Sequence, residues 1–254
     1  DLINEALKLG QSNDFGYHYI KDFEKRFEIK VRSPMTTGWK TFDDLMQGGL
    51  GAGELGVAMA GTGAGKSHIL VHLGAQALKE KKTVVHYTLE LSETVVARRY
   101  DSCITGVKLK DLNVFKDNIL EVVKDIEGTL IVKEYPTRSI STTAIKNHLS
   151  KLKMRGMESI SEAFSKCFVA DFIFTLSRTT EDKNNNTGRF FVAKNRFGPD
   201  GLIYPVKMDT SNVKISVEQN SIDPSAVGKN AAKEQKDLLR QKYKELKQEM
   251  KGDK

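Results

Sequence analysis

The sequence predicts an α/β fold, in which a largely parallel sheet is flanked by helices and followed by antiparallel hairpins. The first observation is that short apolar segments rich in β-branched residues alternate with segments of helical periodicity, as in strands joined by crossover helices. The second is a glycine-rich turn between the first strand and the first long helix. The third is a pair of turn signals, at residues 184–188 and 198–201, which separate three apolar runs and predict two hairpins in series.

The parallel part begins with an apolar strand at residues 55–60, followed by a helix from Lys66 to about Lys79. A second strand is expected over residues 83–89. Ser92 is then placed to cap the next helix, because its hydroxyl can accept a hydrogen bond from the first helical turn. The remaining elements are expected in this order: a strand at 129–132, a helix at 141–155, and hairpin strands at 172–176, 190–193 and 202–206.

Shifts in composition divide the 254 residues into three parts: a linker segment at 1–33, a globular core at 34–218 and a charged helical tail at 219–254. The linker segment opens with apolar residues spaced as in a short amphipathic helix. A tail helix over 229–251 carries a narrow apolar seam, formed by Leu239, Tyr243, Leu246 and Met250. Such a seam fits docking on a partner protein, and a solvated helix or a disordered segment remains the alternative.

Composition and charge exclude several classes of protein. No apolar run approaches the roughly 18 residues of a membrane helix, and no signal peptide is visible, so a cytoplasmic protein is expected. Cys103 and Cys167 are too few for a disulfide framework and are expected as buried thiols. The net charge is +7, but residues 229–254 hold nine basic and five acidic residues (9 − 5 = +4), so charge alone does not indicate nucleic acid.

The most informative motif is Ala60-Gly61-Thr62-Gly63-Ala64-Gly65-Lys66-Ser67, which has the spacing of a phosphate-binding P-loop with Ala in the first position. Glycines let backbone N–H groups converge on a β-phosphate at the positive end of the helix dipole. Lys66 is expected to neutralise the β- and γ-phosphates, and the Ser67 hydroxyl to ligate Mg²⁺. Residues 61–67 are therefore the candidate site for a nucleoside triphosphate.

Glu90 is the candidate for the catalytic carboxylate. It follows the strand at 83–89, and the carboxyl ends of parallel strands face the ligand crevice in open α/β sheets. From there its carboxylate could orient or deprotonate a water molecule against the γ-phosphate. A glutamate at a strand end is otherwise most often a capping or ion-pairing residue.

Taken together, these motifs resemble the RecA-like ATPase domain of hexameric DnaB-type replicative helicases, especially members from T-even-like phages. The matching segments are 37–39, 48–50, 53–55, 60–67 and 88–92. The resemblance covers residues 34–217 and continues at Lys194-Asn195-Arg196, which stands just before a Gly-Pro pair.

The resemblance implies an ATP-dependent DNA helicase that forms a homohexameric ring. ATP and Mg²⁺ would bind at subunit interfaces and single-stranded DNA in the central channel, with hydrolysis coupled to translocation and unwinding during replication. Lys194 and Arg196 would reach the neighbouring subunit's nucleotide and stabilise the charge that develops on the γ-phosphate. Without the resemblance, they would be two solvated residues on a hairpin. A primase or another replisome protein is a candidate partner, and a phage-encoded chain would act in the host cytoplasm.

The sequence departs from the family between Met157 and Glu158. There the family carries an apolar strand ending in the aspartate that holds Mg²⁺ through water, a strand ending in a polar sensor and DNA-gripping loops, and the family spacing implies that roughly 50–60 residues are missing. Asp171 precedes its strand and so lies at the wrong end to replace that aspartate, and Glu134 follows a strand interrupted by Lys133. An omitted internal segment is favoured over a real deletion, which would expose sheet edges at a large cost in stability.

Two other functions stay open. A recombinase or loader of the RecA type shares the fold and the P-loop, but assembles as an open filament rather than a closed ring. A nucleotide-gated scaffold without catalytic activity would result if the deletion is real. The basic residues at 146–155 are expected as a solvated face, and His68 and His72 as packing or solvent-facing residues rather than zinc ligands.

Overall fold

The structure, a computed structural model, describes residues 17–27, 32–136, 141–152 and 170–222. The chain divides into two units, Asp1–Ser33 and Pro34–Lys254. In the first unit, Glu24–Arg26 form a 3₁₀ turn, and the rings of Phe23 and Phe27 lie 5.1 Å apart. The expected N-terminal helix, the tail helix, Cys167 and the junction at residues 157 and 158 lie outside the described residues.

In the described part of the second unit, helices and strands alternate as the sequence predicts. The helices are α1 (Lys40–Leu45), α2 (Lys66–Lys79), α3 (Glu93–Thr105), α4 (Lys116–Lys124), α5 (Thr142–Lys151) and α6 (Thr180–Asn184). The strands are β1 (Gly56–Ala60), β2 (Thr83–Thr88), β3 (Thr129–Glu134), β4 (Phe172–Ser177), β5 (Thr187–Asn195), β6 (Ile203–Asp209) and β7 (Lys214–Val217). In these ranges, no helix combines the length and apolarity that spanning a lipid bilayer requires.

The strands form two sheets. Five strands lie in the order β1-β4-β5-β6-β7, and β2 pairs with β3 in a separate sheet. β1 and β4 run parallel, with Gly56 opposite Phe172 and Ala60 opposite Leu176, and β2 and β3 are also parallel. β4, β5, β6 and β7 are joined by antiparallel pairings. The α/β fold with a parallel part and C-terminal hairpins is therefore confirmed.

Several elements were not predicted from the sequence: α1, α4, α6 and β7. The connection from β4 to β5 holds the short helix α6 rather than a simple turn. The expected cap of α3 is present, because the Ser92 side chain accepts a hydrogen bond from the Val95 N–H.

An aromatic cluster packs α1 and α2 against the five-stranded sheet. Phe42 is fully buried among the rings of Phe172, Phe174 and Phe190. Trp39 stacks on the His72 ring of α2 at 4.5 Å and donates its indole N–H to the Ile215 carbonyl. Some of these rings precede the P-loop motif in the sequence and others follow it. Their packing fixes the helix after the loop to the sheet beneath it.

A second core cluster joins α2 to α3. Val71, Ala75 and Leu78 of α2 pack with Val96 and Tyr100 of α3. Gly74 allows this approach, because a Cβ atom at that position would lie 2.0 Å from the Tyr100 hydroxyl. The helix that follows the P-loop is thus held by packing on two sides.

β1 has an open edge in the described part of the chain. It pairs there with β4 alone, and its Met59 side chain is 53% exposed. Leu70, on the facing turn of α2, is 49% exposed. Large apolar side chains at a strand edge and on a neighbouring helix normally pack against a further element.

Candidate functional site

The P-loop lies between the end of β1 at Ala60 and the start of α2 at Lys66. Gly63 and Gly65 have φ angles of +69° and +121°, which L-residues with a side chain rarely adopt. A Cβ atom on Gly65 would also lie 2.2 Å from Cε of Met208. The glycine at this position is therefore required by both the backbone conformation and the packing below the loop.

Lys66 is held over the loop by its own backbone. Its Nζ donates to the carbonyl oxygens of Ala60, at 2.9 Å, and Gly61, at 3.2 Å. The ammonium therefore lies where the loop N–H groups and the helix dipole also favour an anion. Ser67 follows in the first turn of α2, beside it.

Glu90 lies at the same cleft. The cleft has a volume of about 240 Å³ and is lined by Lys66, Ser67 and Glu90, together with apolar residues of α2 and the carboxyl end of β2. The Thr88 hydroxyl donates to the Leu91 carbonyl and accepts from its N–H, and so shapes the turn that carries Glu90. The structure thus brings together three of the residues that the sequence singles out, and their roles remain predictions.

Lys194 and Arg196 lie toward the other end of the sheet. Lys194 pairs with Ile173 of β4. Ile173 lies three residues before Leu176, and Leu176 pairs with Ala60 at the P-loop end of β1. Three residues correspond to about 10 Å along a strand, and Arg196 lies beyond Lys194 in the same direction. Arg196 forms an ion pair with Asp171 at 2.7 Å. Neither basic residue therefore lies at the end of the sheet that carries the P-loop of the same chain.

Of the two alternative metal carboxylates, that of Asp171 has structural partners instead. Asp171 accepts the Leu55 N–H at 2.9 Å and so fixes the start of β1, at the opposite end from the P-loop, as the sequence predicts. Glu134 ends β3, where its N–H donates to the Glu93 carboxylate. That hydrogen bond, together with the hydrogen bond and the charge of Lys133, lowers the pKa of Glu93.

The sequence analysis missed a group of residues just after β4. The Thr179 and Asp182 side chains form a capping box at the start of α6, and Asp182 pairs with Arg189 at 3.1 Å. The Arg178 guanidinium donates to the Thr187 carbonyl and lies 3.7 Å from Sδ of Met208, the residue below Gly65. The signal that could have located this turn is the Thr-x-x-Asp spacing at 179–182.

The two histidines on α2 are neutral packing residues. Burial and the nearby Arg99 charge lower the pKa of His68 to about 4. Burial likewise lowers the pKa of His72 to about 4, although its ring bonds to the Thr37 carbonyl. Across the residues that the structure describes, no group of three or more His, Cys, Asp or Glu residues could hold a metal ion.

The residues at the loop fit a triphosphate. The positive φ angles of Gly63 and Gly65 give the loop a conformation that side-chain-bearing residues rarely adopt, and Lys66 supplies a cation beside backbone N–H groups. For Mg²⁺, the cleft offers the Ser67 hydroxyl and, nearby, the Glu90 carboxylate. Such a donor set suits an ion that keeps several waters and takes its other ligands from the nucleotide.

The fold is RecA-like, and the loop after β1 has the sequence pattern of a P-loop. The chain is 28% identical to the DnaB-like replicative helicase of Enterobacteria phage T4 over 165 residues, which cover 61% of this chain. It spans only 35% of that relative's length. No family model matches the sequence. The resemblance to DnaB-type helicases that the motifs predict is confirmed.

Two solved structures share the fold. One is a DnaB-like replicative helicase, described with its interactions with primase; the TM-score is 0.59 at 12% identity, over 86% of this chain and 72% of the other. The second is an ATPase domain, with a TM-score of 0.51 at 12% identity, over 84% of this chain and 98% of the other. At this identity the similarity shows the fold alone.

Proposed function

We propose that this chain is the motor domain of an ATP-dependent DNA helicase, which hydrolyses ATP to translocate on single-stranded DNA and unwind duplex during replication. The observation that carries the proposal is the cleft in which Lys66, Ser67 and Glu90 meet. It supports ATP hydrolysis because the cation, the metal-ligating hydroxyl and the carboxylate lie together at the carboxyl ends of parallel strands.

Each residue has a separate role in the proposed reaction. Backbone N–H groups of residues 61–67 hold the β-phosphate, and Lys66 neutralises charge on the β- and γ-phosphates. Ser67 is the ligand this chain offers to Mg²⁺, which supplies further positive charge when bound. The Glu90 carboxylate orients the attacking water and accepts its proton.

The proposed assembly is a homohexameric ring with ATP at the subunit interfaces. The position of Lys194 and Arg196 supports it, because about 10 Å of strand or more separates them from the P-loop of their own chain. The Arg196 side chain pairs with Asp171 but is 52% exposed. It is therefore accessible to another subunit. In a ring, both residues would stabilise charge on the neighbour's γ-phosphate.

We further propose that a segment belongs between Met157 and Glu158. The open edge of β1 and the exposed Met59 and Leu70 support it, since an added strand beside β1 would cover them. Single-stranded DNA is the proposed substrate. A primase or another replisome protein is the proposed partner, since one structurally similar helicase is described with its interactions with primase.

The test is steady-state ATP turnover with and without single-stranded DNA, for the wild type, Lys66→Ala and Glu90→Gln. We expect DNA to raise turnover. Lys66→Ala should lose ATP binding and turnover together, the latter by about 100-fold or more. Glu90→Gln should still bind ATP but turn over about 10²- to 10⁴-fold more slowly, because the base is lost and the shape is kept.

The matched control is Glu121→Gln, an exposed glutamate on α4, which should turn over like the wild type. Turnover that does not depend on Lys66 would refute the motor. One observation favours the scaffold instead: in the described ranges, no acidic residue directly follows β1 or β4 at the P-loop end. Tight, Lys66-dependent ATP binding without turnover, with or without DNA, would support that alternative.

A further inference from the structure

The short helix α6 places a lysine beside the P-loop. β4 is the hydrogen-bonded neighbour of β1, so the chain leaves β4 next to the loop and forms α6 there. Nζ of Lys183 lies 3.9 Å from the position that a Cβ atom on Gly63 would occupy. A second cation therefore lies at the loop that Lys66 also faces.

The position of Lys183 is fixed by the anchoring of α6. Thr179 and Asp182 cap the helix through two reciprocal hydrogen bonds. Asp182 also accepts from the Thr187 hydroxyl at 3.0 Å, and Arg178 donates to the Thr187 carbonyl at 2.8 Å. Because the first turn of α6 is tied to the start of β5, the backbone that carries Lys183 is held beside the loop.

Lys183 has no countercharge in the described part of the chain. Its side chain is exposed and forms no ion pair or hydrogen bond there. Asp182, the adjacent acid, is engaged by Arg189, Thr179 and Thr187. Two ammonium groups at one loop repel each other, and an anion bound between them removes that repulsion.

We propose that Lys183 is a second cis cation of the nucleotide site, which binds oxygens of the β- and γ-phosphates from α6. It is a binding residue that complements Lys66. The inference rests on the proposed ATP site, and it deepens that site by naming a residue outside the P-loop motif. Because its contact is with the terminal phosphates, the lysine favours the triphosphate over shorter nucleotides.

The test is equilibrium binding of a fluorescent ATP analogue in the presence of Mg²⁺, competed with ATP, ADP and AMP. Lys183→Ala should weaken ATP binding about five- to tenfold, the range for a charge-assisted but solvent-exposed contact. AMP, which lacks the β- and γ-phosphates, should bind as it does to the wild type. Lys183→Arg should retain most of the affinity, and Lys183→Glu should lose more than Lys183→Ala.

The matched control is Lys214→Ala, which removes an exposed lysine from β7 at the opposite edge of the sheet and should not change ATP affinity. If Lys66→Ala abolishes binding while Lys183→Ala binds ATP normally, the role of Lys183 is overturned and the proposed function stands. An equal loss for ATP, ADP and AMP would also overturn it. If Lys66→Ala still binds ATP, the P-loop site fails and the inference fails with it.

Discussion

Gly65 is the residue at which the backbone of the P-loop and the packing beneath it meet. Its φ of +121° is accessible to glycine and strained for other residues. A methyl group there would also meet Met208. The motif therefore encodes a conformation as well as a chemistry, which is why the loop could be predicted from the sequence.

We expect Gly65→Ala to lower the free energy of unfolding by about 2 kcal/mol, from backbone strain and overpacking together. Urea denaturation measures the change. In the double variant Gly65→Ala/Met208→Ala the contact is removed but the φ strain remains, so it should not regain the stability of Met208→Ala alone.

Gly61→Ala is the control for this experiment. A Cβ atom at Gly61 meets nothing within 4 Å, and its φ is not in the left-handed region. Its free energy of unfolding should stay within about 0.5 kcal/mol of the wild type. Equal stability of the two single variants would contradict the account of Gly65.

Other residues of the site could not be predicted from sequence. Lys183 meets the loop at Gly63 only because β4 pairs with β1, and that pairing joins segments far apart in the chain. A lone lysine in a polar turn carries no signal of its own. Glu90 was predictable because it follows directly on a recognisable strand, and the carboxyl ends of parallel strands face the ligand crevice.

At the scale of elements, α2 begins at the P-loop and packs into both core clusters. Its two histidines make the free energy of unfolding depend on pH. His72 is buried against Trp39, and the pKa values of His68 and His72 both fall to about 4. Protonating His72 in the folded state places a charge in a buried site, and protonating His68 places one in a half-buried site near Arg99 and Arg178, so both are costly.

We expect the free energy of unfolding to fall as the pH drops from about 6.5 to about 4. Both histidines have a lower pKa in the folded state than in the unfolded state, so the unfolded state binds more protons in this window. Their contribution is complete above pH 6.5 and is lost toward pH 4. Buried His72 alone should account for on the order of 2–3 kcal/mol.

Urea unfolding at several pH values measures this slope, and His72→Gln should reduce it by about half, since His68 remains. The comparison uses the slope rather than the stability itself, because glutamine does not reproduce the stacking on Trp39. An unaltered slope in His72→Gln would contradict the assignment.

The elements that the sequence did not predict share a physical cause. α1 and α6 have six and five residues, too short for a helical period to stand out. β7 has four residues and is recognisable only beside β6. The separation of β2 and β3 from the main sheet was not predicted either, because strand order depends on contacts between distant segments.

At the scale of the whole molecule, the two ends of the five-stranded sheet carry different chemistry. The P-loop follows β1 at one end, and Arg196 pairs with Asp171 at the other. A residue so placed cannot act on its own P-loop without a large rearrangement. In a head-to-tail assembly, however, one end of a subunit meets the opposite end of the next.

We therefore expect two inactive variants to restore activity when they are mixed. Lys66→Ala keeps Arg196 but has a defective P-loop, and Arg196→Ala keeps the P-loop but lacks the arginine for its neighbour. In a 1:1 mixture of exchanging subunits, about a quarter of the interfaces would join an intact P-loop to an intact arginine. DNA-stimulated ATP turnover of the mixture should then exceed that of either variant alone.

Mixing the double variant Lys66→Ala/Arg196→Ala with either single variant is the control. It should restore no turnover, because no interface then joins an intact P-loop to an intact arginine. Since the Arg196 side chain is half exposed and the Asp171 carboxylate keeps its hydrogen bond from the Leu55 N–H, Arg196→Ala should fold normally. If subunit exchange is verified by fluorescence and the mixture stays inactive, Arg196 does not act across the interface.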